Sequence, residues 1–271
     1  MDGNEHVSFR SRVDRQLDRK EKRYETEQLM KTRRSEEYEA LEEVFDRSTL
    51  MIIYQFMNRG VIGEIHGVVS AGKESRVYWA KDNEGKELAI KIYLTLSAEF
   101  RKGMLPYIEG DPRFKNVKRD TRSLIFTWAR KEFRNLEQAT RAGVRVPKPF
   151  VVRNNVLIME FIGKDGVSAP LVRVKPPKDP AKIYESLLSS LERLYCKAEL
   201  VHGDLSEYNV MIWKNKPVIF DMSQSVSIHH PMARFLLQRD ITNLNRFFNK
   251  LGVNVSPNEE AYTKVTGHGK T

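Results

Sequence analysis

Two short runs, His202-Gly203-Asp204-Leu205-Ser206-Glu207-Tyr208-Asn209 and Ile219-Phe220-Asp221-Met222-Ser223, constrain this chain more than any other feature. Between them lie two apolar stretches, Val210-Met211-Ile212-Trp213 and Val218-Ile219-Phe220, joined by Lys214-Asn215-Lys216-Pro217, the pattern of a β-hairpin. With Trp213 facing Val218, Asn209 stands opposite Met222, one residue from Asp221. Both polar side chains then sit at the open mouth of the hairpin, and Asp204 lies just before it. One carboxylate able to accept a proton and two oxygen ligands therefore share a small region. Asn209 and Asp221 are oxygen donors of the kind Mg²⁺ prefers over His or Cys. Either residue alone reads as a turn former or a cap. The combination, H-x-D-x-x-x-x-N, a strand pair, then an Asp after an apolar run, is much rarer.

That combination resembles the catalytic and metal-binding loops of the protein-kinase superfamily. Such a fold needs a strand lysine and a helical glutamate. Val77-Tyr78-Trp79-Ala80 and Glu87-Leu88-Ala89-Ile90-Lys91-Ile92-Tyr93 flank a turn with Asp82, Asn83 and Gly85, a second hairpin, and Leu88-Ala89-Ile90-Lys91 is similar to the kinase phosphate-binding lysine strand. An edge-strand lysine that snorkels to water is the alternative for Lys91. Residues 123–142 read as a helix stopped by Gly143, with an apolar stripe of Ile125, Trp128, Ala129, Phe133, Leu136 and Ala139. Glu132 borders that stripe and is the expected partner of Lys91; Glu137 is the fallback. Val156 to Gly163 reads as an apolar strand running into the hinge between lobes. The resemblance implies that the Glu160 carbonyl and the Ile162 amide contact adenine, with Met159 behind it.

The phosphate-covering loop departs from the common Gly-x-Gly-x-x-Gly. Gly67 to Ser75 nearly spells a P-loop, but Glu74 occupies the Ser/Thr place and a strand follows; the terminal Gly267-His268-Gly269-Lys270-Thr271 has no helix after it. Neither is read as a P-loop. Ser70, Gly72, Lys73, Glu74 and Val77 instead fit the Ser-x-Gly-Lys-Glu-x-x-Val-Tyr loop of the RIO family of atypical protein kinases. Gly203 in place of the His-Arg-Asp arginine, Asp221-Met222-Ser223-Gln224, Gly110-Asp111-Pro112-Arg113-Phe114 and Lys131 to Leu136 agree with its type-one subfamily. The resemblance covers roughly residues 48–252 and is closest to the compact archaeal form. Residues 1–50 are too few and too charged for the winged helix of the second subfamily.

The resemblance implies Ser/Thr kinase and ATPase chemistry with ATP and Mg²⁺ or Mn²⁺, slow autophosphorylation, and a role in small ribosomal subunit maturation. Asp204 would orient or deprotonate the acceptor. Asp221 would act as a metal ligand, or also as a transient phosphoryl acceptor. With fifty residues after Asp221 there is little room for the peptide-holding helical subdomain of ordinary kinases. Two other readings compete. One is a small-molecule phosphotransferase of the antibiotic or choline kinase type, which shares the His-Gly-Asp…Asn loop. The other is a non-catalytic nucleotide-sensing RNA-binding scaffold.

The expected architecture is α+β and bilobal. A charged helical extension (1–47) precedes an N-lobe of antiparallel sheet plus helix (48–158), a reduced helical C-lobe (159–252), and a loose tail (253–271). Residues 94–122 carry Lys102, Arg113, Lys115, Lys118, Arg119 and Arg122 with little periodicity. They read as a flexible loop contacting RNA or substrate, with Thr121 or Ser123 as an autophosphorylation site. A formal charge of +10, from 46 Lys/Arg against 36 Asp/Glu, suits an anionic partner such as rRNA. Ten bases against five acids in Arg10 to Arg34 could grip phosphates or simply be solvated, and Glu36 to Asp46 holds six acids and no base. Tyr38, Leu41, Phe45, Leu50, Ile53, Tyr54 and Met57 give helical stripes. The single Cys196 reads as an inert packing residue; with no signal peptide in view this suggests a reducing, cytoplasmic setting. No apolar run approaches the ~18 residues of a membrane span. Oligomeric state is not legible.

Overall fold

The computed structural model describes residues 45–94, 98–114, 117 and 120–267. The expected elements before Phe45, and Lys115, Lys118 and Arg119, lie outside the described residues. The first helix, α1 (Arg47–Asn58), starts where the Asp46 carboxylate accepts from the Thr49 N–H at 2.8 Å. It buries Ile52, Ile53, Phe56 and Met57, whereas Leu50 and Tyr54 of the expected stripe are only half-buried.

The sheet follows from the hairpin signals. Strands β1 (Glu64–Ala71), β2 (Ser75–Lys81) and β3 (Glu87–Tyr93) form an antiparallel meander. Then β4 (Pro149–Arg153) and β5 (Val156–Glu160) complete five strands in the order β1-β2-β3-β5-β4. Lys91 pairs with Val77 on one side and Leu157 on the other, so it stands on an interior strand. That removes the edge-strand alternative.

Between β3 and β4 come two helices, α2 (Ala98–Ile108) and α3 (Thr121–Arg141). The long helix is capped by Asp120, whose side chain accepts from the Ser123 N–H, and Gly143 (φ +75°) follows its end. The helix α2 corrects the expectation of a flexible loop over 94–122. Met104 and Ile108 are buried in a cluster with Tyr93, Leu124 and Trp128. Two anchors one turn apart suffice when the receiving surface is supplied by another helix. Pro106 inside α2 had hidden the helical pattern.

The C-lobe is built on α4 (Pro180–Cys196), α5 (Ala233–Lys250) and α6 (Asn258–Thr266), with small strand pairs β6 (Gly163–Lys164)/β7 (Val167–Ser168), β8 (Leu200–Val201)/β11 (Val226–Ser227) and β9 (Val210–Trp213)/β10 (Lys216–Ile219). Leu187, Leu188 and Leu191 of α4 share one core with Leu236, Leu237 and Phe248 of α5. Each such side chain contributes about 1.5–3 kcal/mol by leaving water. The helix α6 corrects the expected loose tail: Ala261 and Val265, one turn apart, are both fully buried in that core. Glu259 and Glu260 in its first turn complement the helix N-terminus. Cys196 is exposed rather than packed, its Sγ 3.3 Å from the Val265 carbonyl. Among the described residues no helix is long and apolar enough to cross a membrane.

Candidate active site

The β9–β10 hairpin that carries the two key runs differs in register from the expectation. Trp213 pairs with Lys216 and Ile219 with Val210, a slip of two residues. The turn is only Lys214-Asn215, both at positive φ (51° and 59°), so Lys216-Pro217 belong to the strand. Asn209 therefore stands opposite Phe220, whose N–H donates to the Asn209 carbonyl at 3.1 Å. Because a two-residue slip preserves facing, Asn209 and Asp221 remain one residue apart across the mouth.

Lys91 Nζ lies 2.9 Å from Glu132 Oε1 and 3.0 Å from Asp221 Oδ1. Burial opposes the Lys91 charge, but Asp221 and Glu132 outweigh it and hold the ammonium above its ordinary range. The second Glu132 oxygen accepts from the Tyr93 hydroxyl. Burial pushes the Glu132 carboxyl up to about 7, with Lys91 pulling the other way. The fallback Glu137 pairs instead with Arg141 at 3.4 Å on the outer face.

Asp221 sits at φ 58°, ψ 66°, the left-handed region that Asp tolerates better than most residues. Its Oδ1 also accepts from Ser223 Oγ at 2.8 Å. Burial works to raise its carboxyl, yet Lys91 keeps it below its usual value. Asn209 Nδ2 donates to the Asp204 carbonyl at 2.7 Å and to Asp204 Oδ2 at 3.2 Å. That engages the amide nitrogen and leaves Oδ1 as the donor atom for a cation. Burial, then the Asp221 charge, raises Asp204 above an ordinary carboxyl.

A cleft of about 600 Å³ joins these groups to the sheet. Its walls include Ser70, Gly72, Lys73, Glu74 and Val77 from the β1–β2 hairpin, and Lys91, Glu132 and Asp221. Met159, Glu160 and Ile162 line its other end. Asp204 and Asn209 stand beside this cavity rather than in its wall. The Glu160 side chain is taken by Arg145, at 2.6 and 2.7 Å, and its N–H donates to the Lys148 carbonyl at 2.8 Å, which leaves its carbonyl for a ligand's edge. Glu74 is raised by burial and then by Asp221, which places its carboxylate in the field of Asp221.

Sequence reasoning missed the groups that fix the Asp204 loop. Asp240, fully buried on α5, accepts from the Gly203 and Leu205 N–H groups at 2.8 Å each, bracketing Asp204. Burial pushes its carboxyl up to about 7, although those two donors favour the anion. Arg239 donates to the Gly203 carbonyl. Gly203 has φ +81°, and a Cβ there would come within 3.1 Å of the Gln224 carbonyl, so an arginine at this position would strain the backbone. His202 is buried; its Nδ1 accepts from the Asp204 N–H at 3.3 Å and Nε2 lies 3.2 Å from the Phe220 carbonyl, so Nε2 carries the proton. Burial drives its pKa down to about 4, keeping the ring neutral. A signal for Asp240 existed: it lies within the apolar stripe Leu236, Leu237, Ile241, Leu244, where an unpaired carboxylate would be costly.

Among the described residues no group of three or more His, Cys, Asp or Glu side chains could hold a metal by itself. The Asn209 and Asp221 pair nonetheless fits Mg²⁺, which takes one or two protein oxygens and completes its shell with phosphate and water.

The family profile of the RIO domain matches residues 76–261. The chain is 39% identical over 255 residues to the RIO-type serine/threonine-protein kinase Rio1 of Haloferax volcanii, covering 94% of this chain and 87% of that one. It is 40% identical over 230 residues to human serine/threonine-protein kinase RIO1, covering 83% of this chain but 40% of the longer human protein. Among solved structures, the Rio2 kinase–ADP/Mg²⁺–phosphoaspartate complex from Chaetomium thermophilum superposes with a TM-score of 0.61 at 25% identity, over 80% of this chain and 66% of that one. The domain match, the archaeal and human relatives and the shared α+β architecture agree: this chain belongs to the RIO family of serine/threonine-protein kinases.

Proposed function

We propose that the chain is an ATP-dependent serine/threonine kinase in which the cleft holds the nucleotide and Asp204 serves the acceptor hydroxyl. The observation that carries this reading is Lys91 held between Glu132 and Asp221, with Asp204 and Asn209 hydrogen-bonded alongside. The Lys91 ammonium binds phosphate oxygens, and Glu132 keeps it aimed at them. Asp204, raised above an ordinary carboxyl by burial, orients the acceptor hydroxyl and, as its carboxylate, takes its proton. Asn209 and Asp221 hold Mg²⁺ or Mn²⁺, which supplies positive charge against the transferring phosphoryl group.

A second role for Asp221 is favoured by the Chaetomium relative, whose structure is that of an ADP/Mg²⁺–phosphoaspartate complex. Here an Asp221 oxygen attacks the γ-phosphorus, the bond to ADP breaks, and water later releases phosphate. The net reaction is ATP hydrolysis, an output compatible with a slow protein kinase. The surplus of basic residues and the family resemblance support a pre-ribosomal partner in the cytoplasm, with phosphate-rich RNA as the contact.

The test uses γ-labelled ATP and Mg²⁺, followed by acid or hydroxylamine treatment of the protein. Acid-stable label means Ser/Thr autophosphorylation, and hydroxylamine-labile label means a phosphoaspartate. Absence of both, with no released phosphate, removes the catalytic reading and leaves the nucleotide-sensing scaffold. Rapid phosphorylation of an aminoglycoside without protein label would favour the small-molecule phosphotransferase.

A further inference from the structure

Asp221 occupies a sparsely populated backbone region, which persists only where the surroundings over-determine it. The turn that follows, Met222–Gln224, is short, and three main-chain carbonyls around it point to donors on a single helix. Lys131 Nζ donates to the Ser223 carbonyl at 2.9 Å and to the Ser225 carbonyl. Asn135 Nδ2 donates to the Met222 carbonyl at 2.7 Å and to the Ser225 carbonyl at 3.0 Å. Both residues are fully buried. A lysine in that position ordinarily pairs with a carboxylate. Here it spends its protons on main-chain oxygens while lying 5.2 Å from the Trp128 ring centroid.

The amide of Asn135 cannot turn over. Its Oδ1 accepts from Arg113 Nη1 at 2.8 Å, and Arg113 also reaches Gln138 Oε1 at 2.8 Å. The guanidinium is gripped in turn by Asp111, with Nε–Oδ1 at 2.9 Å and Nη2–Oδ2 at 2.7 Å. Arg113 was expected among the basic residues of a loop for RNA or substrate; it is turned inward as a brace. On the other side, His230 Nε2 lies 2.9 Å from the Glu109 carbonyl, tying the same segment to the chain beyond Ser227.

We infer that Lys131 and Asn135, the latter oriented by Arg113, are positioning residues that set the Asp221 carboxylate for cation binding. The inference rests on the reading of Asp221 as a metal ligand. The helix α3 thereby acts on Asp221 from two directions. Glu132 works through Lys91 on the side chain, and Lys131 and Asn135 work on the main chain after it. Neither Lys131 nor Asn135 lines the cleft, so their effect is confined to where the carboxylate points.

The test measures the affinity of the full chain for a fluorescent ADP in EDTA and in MgCl₂, together with the melting temperature. Lys131→Met removes the amine at similar volume. Asn135→Asp keeps the contact to Arg113 but replaces the donor with an acceptor facing two carbonyls. The inference expects both variants to lose about tenfold of the Mg²⁺-dependent tightening, the worth of one buried hydrogen bond. Their affinity in EDTA should stay within about twofold of the parent. Arg113→Lys, which keeps the charge but loses the fork, should lose less. A merely structural role would lower both affinities together with the melting temperature. Should Lys131→Met fail to fold, Asn135→Asp carries the tenfold expectation and Arg113→Lys the smaller loss. Asp221→Asn is the control. If it abolishes Mg²⁺-dependent tightening while the folded positioning variants retain it, the inference is overturned and the site reading stands. If Asp221→Asn itself keeps the tightening, the metal reading fails and the inference falls with it.

Discussion

Asp240→Asn isolates how the Asp204 loop is held. In the native protein the two carboxylate oxygens each accept one N–H, from Gly203 and from Leu205, at 2.8 Å. Asparagine offers one acceptor and one NH₂ group, so one of those N–H groups faces another donor and goes unpaired. At pH 8, above the value of about 7 to which burial pushes Asp240, the lost bond is a charge-assisted one worth about 1.5–3 kcal/mol. If that energy is what fixes Asp204 between the two amides, turnover should fall about 10- to 100-fold, at 1.4 kcal/mol per decade. Of the Asp204 loop only Tyr208, at its far end, lines the cleft, so nucleotide affinity should change less than about twofold. The same loss should lower the melting temperature by about 3–10 °C for a chain of this size. Labelled-phosphate turnover and calorimetric titration with ADP at pH 8 measure both. Turnover within twofold of the parent, or an equal loss in turnover and nucleotide affinity, would refute the reasoning.

Four further outcomes follow from the geometry. Lys91→Met leaves the buried Glu132 and the half-exposed Asp221 without their shared cation, so ATP affinity and turnover should both collapse, the latter by more than about 10³-fold in single-turnover assays. Asp204 is raised above its ordinary 3.8, so its base form is lost earlier on acidification; the acid limb of kcat/KM should lie above that value and vanish in Asp204→Asn. His202 has a folded value of about 4 against 6.5, so the unfolded chain binds the extra proton between them. Stability should therefore fall as pH drops through that window, by about 3 kcal/mol in all, and the pH dependence of melting should flatten in His202→Asn. Val265→Asp puts a charge into the core position that α6 fills, and should lower the melting temperature steeply; an unchanged value would restore the loose tail.

How much was legible in advance depended on how local the information was. The residues Lys91, Glu132, Asn209 and Asp221 were found because each is flagged by its own neighbours: an apolar strand, a helical stripe, or a hairpin mouth. Asp240, Lys131 and Asn135 act through main-chain groups 35 to 94 residues away, and nothing beside them in sequence names those partners. The helices α2 and α6 were overlooked because, among the described residues, each fully buries two apolar side chains, with Leu105, Tyr107 and Tyr262 only half-buried on surfaces that other helices provide. Periodicity cannot reveal a stripe of two. The hairpin register failed for a different reason: Lys214 and Asn215 form a two-residue turn at positive φ with no Gly to mark it.

The central claim is that residues from both lobes converge on one nucleotide's phosphates. Crystals grown with ADP and Mn²⁺, and anomalous scattering recorded for the metal, test it most directly. The account predicts a peak about 2.1–2.2 Å from Asn209 Oδ1 and from an Asp221 carboxylate oxygen, with Lys91 Nζ on the nucleotide's phosphates. A metal peak away from those two side chains, or an ADP seated outside the cleft, would contradict it.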